Sequence, residues 1–204
     1  MGDVAVPRSR RTQRIVGGAA LAAYVVAAAG LVALVSIGLF FWIGQPWGTF
    51  NDLALIVMTL ALAPLMLAFY ELGGWTPTPL AQAAQAGGWI AVLTWCVIQA
   101  LMVTGVVTFD YEVGATGAFA IETVAVVVIG SWVAGANLLA GPWLGGLRWL
   151  GVLSGMGWVV LAIGLLLGGV NHPLTYVGGI GYSLTFPIWA YLMAREFGGS
   201  AAGG

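Results

Sequence analysis

Residues 117–139 read GAFAIETVAVVVIGSWVAGANLL, an apolar run that a single carboxylate, Glu122, interrupts. A helix needs about 20 consecutive apolar residues to cross the hydrocarbon core of a bilayer, and this run is long enough. The stretch therefore predicts a membrane-spanning helix, and it raises the question of what a carboxylate does inside one.

The composition around this run is that of a membrane protein. The chain of 204 residues is 61% hydrophobic and only 6% charged, whereas soluble domains carry about 25% charged residues to cover a water-exposed surface. All 6 basic residues are Arg, which together with the high glycine content indicates a GC-rich, bacterial coding sequence. A net charge of −1 disfavours nucleic acid as a partner, because phosphate binding requires clustered cations.

Further apolar runs lie on both sides of the first. The predicted spans cover residues 15–43, 52–71, 89–109, 117–140, 149–169 and 174–194. The segments between them are rich in Gly, Pro, Asn and Asp, which is typical of turns. Before the third span, Thr78 and Pro79 predict a short interfacial helix. The sequence thus predicts an all-α bundle of six transmembrane helices in one domain, residues 15–197, between a basic tail, 1–14, and a flexible tail, 198–204.

The arginine positions predict the orientation of the bundle. Four arginines precede the first span, Arg148 lies between spans four and five, and Arg195 follows span six. An even number of spans places all of them on one side, as the positive-inside rule requires. Both termini are therefore expected in the cytoplasm. The chain is expected to lie in the cell (inner) membrane, with the lipid bilayer as its main partner.

Small residues predict how the helices pack, because lipid supplies no hydrophobic force between helices and close backbone approach takes its place. The predicted packing positions are Gly151, Gly155, Gly164 and Gly168 in span five, Gly130 and Gly135 in span four, and Gly178 and Gly181 in span six. Spans four to six are expected to form the tight centre of the bundle, with packing between two copies as the alternative. Pro64 and Pro187 are expected to kink spans two and six.

Glu122 lies about five residues into span four, roughly 8 Å below its outer edge at 1.5 Å per residue. Burying a charge at that depth costs up to about 3 kcal/mol on insertion scales, so the group should be protonated, paired or hydrated. Because no Arg is expected on that side, a neutral carboxylic acid is the expectation. Two interpretations stay open: a proton-, cation- or ligand-binding site open to the outside, or a hydrogen bond that fixes helix packing.

The other candidate residues of such a binding site are polar or aromatic. They are Gln99, Thr104, Trp158, Tyr182 and His172. Gln99 and Trp158 are expected near the bilayer midplane, where their N–H groups need partners. His172, the single histidine, either titrates near neutral pH at the outer mouth or forms the turn before Pro173.

The residue inventory excludes several classes of protein. Without Lys the chain forms no retinal or pyridoxal Schiff base and no Walker phosphate loop. The single cysteine, Cys96, forms neither an internal disulfide nor a CxxC pair. No cofactor or metal site is expected. Ser154 and His172 are expected about 20 Å or more apart, which is too far for a serine-protease dyad.

Three classes of function remain. Short loops and glycine-rich helix faces favour a non-catalytic accessory or structural membrane subunit, associated with other membrane subunits or with a second copy. Glu122, Gln99, Trp158 and the two prolines favour instead a small carrier or ligand-binding bundle for an unknown small molecule or ion. A membrane-embedded enzyme is the least supported class, and no catalytic residue is assigned.

Overall fold

The computed structural model describes residues 10–72, 78–110, 112–140 and 144–202, and this part of the chain is helical, without strands. The long helices are α1 (Arg10–Ile43), α2 (Trp47–Leu72), α3 (Pro79–Val103), α4 (Gly117–Leu139), α5 (Leu147–Gly168) and α6 (Pro173–Ala202). A short 3-10 turn, Gly169–Asn171, joins the last two. Most of the predicted basic tail, residues 1–9, lies outside the described residues.

Five of the described helices, α1 to α5, are long and apolar enough to cross a membrane. They indicate a multi-pass membrane protein, as the composition predicts. The sixth helix, α6, is long enough at 30 residues. Its sequence contains Gly, Tyr, Ser, Thr and Pro between the apolar residues, and these lower its mean hydropathy below that of the other five.

The helices contact one another in a closed ring. Each packs against its neighbours in sequence, and α6 returns to pack against α1. The first helix is antiparallel to both of its neighbours. Towards its C-terminal half, Gly30 lies against Met58 of α2 and Pro187 of α6. Towards its start, Arg11 pairs with Glu71 of α2 and Tyr24 contacts Tyr191 of α6. The helix α3 is the least closely packed of the six against its neighbours.

The two ends of this ring differ in charge, and we name them accordingly. The arginine end carries Arg11 and Arg14 at the start of α1, Arg148 at the start of α5 and Arg195 near the end of α6. The acidic end carries Asp52 near the start of α2, and Asp110 and Glu112 between α3 and α4. Two carboxylates, Glu71 and Glu196, also lie at the arginine end.

Aromatic side chains fill the interior of the ring. Phe69, Phe186 and Trp189 are among its largest fully buried side chains. Phe186 stacks on Trp189 of the same helix with ring centroids 5.4 Å apart, and Trp189 in turn contacts Phe69 of α2 at 6.2 Å. The buried face of the first helix, by contrast, contains small residues such as Ala19 and Ala23. Bulky rings from the other helices therefore occupy the space that a ring of six helices encloses.

Two glycine contacts bring α5 close to both of its neighbours. A Cβ on Gly130 of α4 would lie 2.7 Å from the carbonyl oxygen of Gly155 on α5. A Cβ on Gly178 of α6 would lie at the same distance, 2.7 Å, from the carbonyl oxygen of Gly157. A real Cβ needs more space than this, so these backbones approach as closely as they do because no side chain separates them.

The other predicted packing glycines differ in how closely a neighbour approaches them. A Cβ on Gly151 would collide with Asn137, and one on Gly164 would collide with Thr175. A Cβ on Gly168 would lie 3.3 Å from His172, and one on Gly181 would lie 3.9 Å from Gly157. A Cβ on Gly135 would meet nothing within 4 Å. The sequence pattern that includes Gly135 is the same small-xxx-small spacing as the others. Spacing alone therefore does not distinguish the glycine that faces a neighbouring helix from the one that does not.

Both interior prolines lie within helices. Pro64 is exposed on α2, whereas Pro187 is buried in α6. A Cβ on Gly30 of α1 would lie only 2.9 Å from Cγ of Pro187. The absence of a side chain at Gly30 thus makes room for the proline ring, a complementarity between α1 and α6 that the sequence analysis does not identify.

The start of α3 differs from the predicted span, which begins at residue 89. Thr78 is the N-cap, and its Oγ1 accepts a hydrogen bond from the backbone N–H of Ala81 at 3.2 Å. The helix that starts there continues through Gly88, where Met66 and Trp132 pack against the bare backbone. The predicted short interfacial helix is therefore the first part of α3 itself.

The ends of two helices also differ from the predicted boundaries. The helix α3 ends at Val103 rather than near 109, and Gly105 follows with a φ of +73°, a left-handed conformation that favours glycine and stops a helix. The helix α6 continues to Ala202, through residues 198–202 of the predicted flexible tail.

Candidate functional site

The carboxyl group of Glu122 lies inside the bundle, between α3 and α4. The residue is only 5% exposed. Gln99 of α3, itself 6% exposed, donates a hydrogen bond from Nε2 to Oε1 of Glu122. The structure therefore brings together two of the residues that the sequence analysis selects, and gives the buried carboxyl a neutral partner.

Gln99 and Glu122 lie at similar distances from the acidic ends of their helices. Gln99 lies four residues before Val103, about 6 Å from the end of the helix and not near its middle. Glu122 lies five residues after Gly117, the first residue of α4, which is about 8 Å. Both side chains are therefore at the same level, in the half of the bundle nearer the acidic end.

Two further side chains lie near this level of the bundle. Trp95 of α3 precedes Gln99 by one helical turn, and Asp52 lies near the start of α2, at the acidic end. Asp52 is half-buried and accepts a hydrogen bond from Nδ2 of Asn51 at 3.3 Å. The sequence analysis does not select Trp95 or Asp52, although the four-residue spacing of Trp95 and Gln99 places them on one helix face.

Trp158 of α5 adjoins this group through the Trp95 ring. It is 2% exposed, and its ring centroid lies 5.7 Å from that of Trp95 and 5.1 Å from that of Tyr182 on α6. Its indole N–H has no hydrogen-bond partner among the described residues. Trp158 thus contacts the group around Glu122 through aromatic packing.

Several buried polar atoms in the described part of the chain have no hydrogen-bond partner. They are Thr59 Oγ1, Gln85 Nε2, Gln99 Oε1 and Trp158 Nε1. About 90% or more of buried polar groups in proteins are hydrogen-bonded, often to ordered water, so each of these atoms calls for a specific explanation. Two of the four belong to Gln99 and Trp158, in the group around Glu122.

The remaining candidate residues lie elsewhere. Thr104 is exposed at the C-terminal cap of α3, where its Oγ1 donates to the carbonyl oxygen of Ala100 at 2.9 Å. His172 lies between α5 and α6, and its Nδ1 accepts a hydrogen bond from the backbone N–H of Leu174 at 3.3 Å. Tyr182 packs on Trp158, as described above. The structure places none of these three beside the Glu122 carboxyl.

A second group of polar side chains lies in the interior nearer the arginine end. Trp189 of α6 donates from Nε1 to Oδ1 of Asn137 on α4 at 3.0 Å, and Nδ2 of Asn137 donates to the carbonyl oxygen of Val133 at 2.8 Å. Trp132 donates from Nε1 to Oε1 of Gln85 on α3 at 3.2 Å. The sequence analysis selects none of these residues. The available signal is Asn137, an amide inside the apolar run 117–139.

Ser154 and His172 are engaged in separate hydrogen bonds. The Ser154 hydroxyl oxygen lies 2.7 Å from the carbonyl oxygen of Leu150 and 3.0 Å from Oγ1 of Thr185 on α6. This contact, like the two indole–amide bonds, joins two helices.

Among the residues that the structure describes, no three His, Cys, Asp or Glu side chains gather closely enough to hold a metal ion.

Two open clefts lie at the arginine end. One of about 380 Å³ is lined by Arg11, Arg14, Ile15, Leu67 and Glu71, and one of about 540 Å³ by Leu147, Leu192, Arg195, Glu196 and Gly199. In the first cleft, Arg11 and Glu71 form an ion pair of 2.7 Å. Because Arg11 is largely exposed, this pair contributes at most about 1 kcal/mol to stability.

The group around Glu122 offers one exchangeable proton, one primary amide and indole N–H groups in a water-poor interior. Such groups bind a proton, a water molecule or a small polar ligand, and they also join helices by hydrogen bonds.

Comparison with known proteins does not assign a function to these groups. No protein family model, curated protein or solved structure matches the chain.

Proposed function

We propose that the protein is a six-span integral membrane protein that serves as a non-catalytic structural or accessory subunit in a bacterial inner membrane. The observation that carries this proposal is how the interior polar groups are used. Trp189 bonds Asn137, Trp132 bonds Gln85 and Gln99 bonds Glu122. Each of these contacts joins two helices, and aromatic rings fill the space between them.

The packing of α6 supports its role as the sixth span. The helix lies antiparallel to α1 and α5 along much of their length, from Thr175 against Gly164 to Pro187 against Gly30. Its exposed apolar residues, Ile180, Leu184, Ile188 and Tyr191, recur at helical spacing and form one outward stripe. A helix whose small and polar residues face protein needs less hydropathy than one that faces lipid on all sides.

The charges of the two ends support cytoplasmic termini. Arg11, Arg14, Arg148 and Arg195 share one end of the bundle, whereas Asp52, Asp110 and Glu112 share the other. Arginines near the ends of spans remain on the cytoplasmic side, and carboxylates carry little weight in this rule. With six spans, both termini lie at the arginine end.

A small carrier or ligand-binding bundle is the second candidate. The specific observation in its favour is a pair of unpaired polar atoms in the interior. One is Oε1 of Gln99, which bonds Glu122 through Nε2, and the other is Nε1 of Trp158, which packs on the Trp95 ring. A polar ligand that reached this position would satisfy both atoms, since one is an acceptor and the other a donor.

Two measurements test the proposed function. Reporters fused to residues 1 and 204 should both give a cytoplasmic signal, and signals on opposite sides of the membrane would contradict six spans. Native mass spectrometry after gentle solubilisation should show the chain bound to a different membrane protein in a fixed ratio. A monomer that retains one small molecule of constant mass would contradict the structural role and favour the carrier.

A further inference from the structure

The Glu122 carboxyl is buried without a positively charged side chain near it in the described part of the chain. The described arginine side chains, Arg11, Arg14, Arg148 and Arg195, all belong to the arginine end. The charged side chains of the acidic end, Asp52, Asp110 and Glu112, are all carboxylates. An ionised Glu122 would therefore be a buried negative charge without a compensating cation, which is costly in a membrane interior.

The partner amide indicates what relieves this cost. Nε2 of Gln99 donates to Glu122, while Oε1 of the same amide finds no partner among the described residues. Both atoms are attached to one carbon, so the unpaired oxygen lies beside the carboxyl. A carboxylate has only acceptors and leaves that oxygen unpaired, whereas a protonated carboxyl has an O–H to donate. One bound proton thus neutralises the charge of Glu122 and supplies a hydrogen bond to Oε1 of Gln99.

We propose that Glu122 and Gln99 form a proton-binding site that exchanges its proton with water at the acidic end of the bundle. In the bound form the Glu122 O–H donates to Oε1 of Gln99, and Nε2 of Gln99 donates to the carboxyl. On release, the O–H bond of Glu122 breaks, its electron pair stays on the carboxylate and the proton passes to water. The Nε2 hydrogen bond remains in both forms.

The surroundings make the exchange one-sided. Towards the acidic end, α3 continues for only four residues beyond Gln99, about 6 Å, and the stacked rings of Phe109 and Phe119 lie there. Towards the arginine end, the rings of Trp95, Trp158 and Phe186 follow one another at centroid distances of 5.7 Å. The path from Glu122 to water is therefore shorter towards the acidic end than towards the arginine end, where three packed aromatic rings follow one another.

Other titratable groups lie on the helices that pack around Glu122, and the test must separate them from it. On α2 the group is Asp52. On α3 it is Cys96, whose Sγ lies 3.9 Å from the carbonyl oxygen of Ile56. On the far side of Trp158 it is Tyr182 of α6. Between α3 and α4 lie Asp110 and Glu112, both exposed.

The proposal goes beyond the structural role and requires no partner protein. It is tested on the full chain in lipid nanodiscs with dicyclohexylcarbodiimide, a reagent that modifies protonated carboxyls in apolar surroundings, with mass spectrometry of the resulting peptides. We expect modification of Glu122 at mildly acidic and neutral pH that declines as the pH rises and the proton leaves. The exposed Glu71 and Glu196 should stay unmodified, Glu122→Gln should abolish the modification, and Asp52→Asn should retain it.

Two results would overturn the proposal. One is a Glu122 that stays unmodified at every pH, together with the absence of a neutral carboxylic acid band, sensitive to D₂O and to Glu122→Gln, in the infrared spectrum. The other is protection of Glu122 by Na⁺ at constant pH, which would assign the site to a metal cation. Because neither measurement depends on a partner or on terminal reporters, their outcome is separate from that of the proposed function.

Discussion

Trp189 of α6 donates a hydrogen bond of 3.0 Å to Asn137 of α4, although these two helices are not neighbours in the ring. The helix α5 lies between them, and a Cβ on its Gly151 would collide with the side chain of Asn137. Asn137 is 0% exposed and Trp189 1%. One interior amide therefore links the fourth and sixth helices past the fifth, at the point where the fifth lacks a side chain.

We expect Trp189→Phe to destabilise the protein, because it removes the N–H that pairs with Oδ1 of Asn137 and part of a fully buried ring. Interhelical hydrogen bonds in membranes contribute about 0.6 kcal/mol on average and up to about 1.7, and the lost volume adds to this cost. The measurement is the free energy of unfolding in mixed micelles. Trp149→Phe is the control, since Trp149 is 53% exposed, and equal stability of the two variants would contradict the role of the bond.

Gly155→Ala and Gly135→Ala form a matched pair in adjacent helices. A Cβ at Gly155 would collide with the backbone at Gly130 and Ala134, whereas one at Gly135 would meet nothing within 4 Å. Overpacking costs about 1–3 kcal/mol, so Gly155→Ala should lose stability by this amount and Gly135→Ala should change little. Thermal unfolding in detergent distinguishes the two, and a similar loss in both would show that the contact between α4 and α5 is not as close as described.

A second matched pair tests whether α3 starts at Pro79. A Cβ at Gly88 would meet Met66 and Trp132, while one at the preceding Gly87 would meet nothing within 4 Å. Gly88→Ala should therefore destabilise the bundle, by about 1–3 kcal/mol, and Gly87→Ala should not. If residues 79–88 instead lay in the interface as a separate helix, the two substitutions would have the same small effect in an unfolding titration.

Substitutions at Glu122 separate its hydrogen bonding from its charge. Glutamine cannot ionise but keeps an acceptor and a donor for the Gln99 amide, so Glu122→Gln should fold with near-native stability. Leucine keeps the volume and leaves the buried amide unpaired, which should cost about 1–3 kcal/mol. Unfolding in mixed micelles at neutral pH compares the two variants. A Leu variant as stable as the Gln variant would show that the bond between α3 and α4 contributes nothing.

The sequence contains enough information for the helices but not for all of their ends. The apolar runs locate six helices along the chain, and five of these are long and apolar enough to cross a membrane. The predicted span 89–109 and α3 differ at both ends, and the start differs because Gln82, Gln85 and several small residues lower the hydropathy of the first part of α3. That part can be polar on one face since it packs against protein, with Gln85 bonded to Trp132.

The site is less predictable than the fold, for a related reason. Glu122 is evident as the carboxylate in an apolar run, and Gln99 is evident as an amide in another. Their contact depends on how α3 and α4 face one another and at what level, and hydropathy reports neither. Asn137 and Trp95 carry visible signals, but their partners lie on helices whose positions in the ring the sequence does not specify.

The pairing of Gly30 with Pro187 has a consequence for biosynthesis. A ribosome makes the first helix more than a hundred residues before the helix that carries the proline. The contact between Gly30 and Pro187 therefore cannot form until the sixth helix has been synthesised. We expect the ring to close last between its first and sixth helices, because α6 is the final helix to be made.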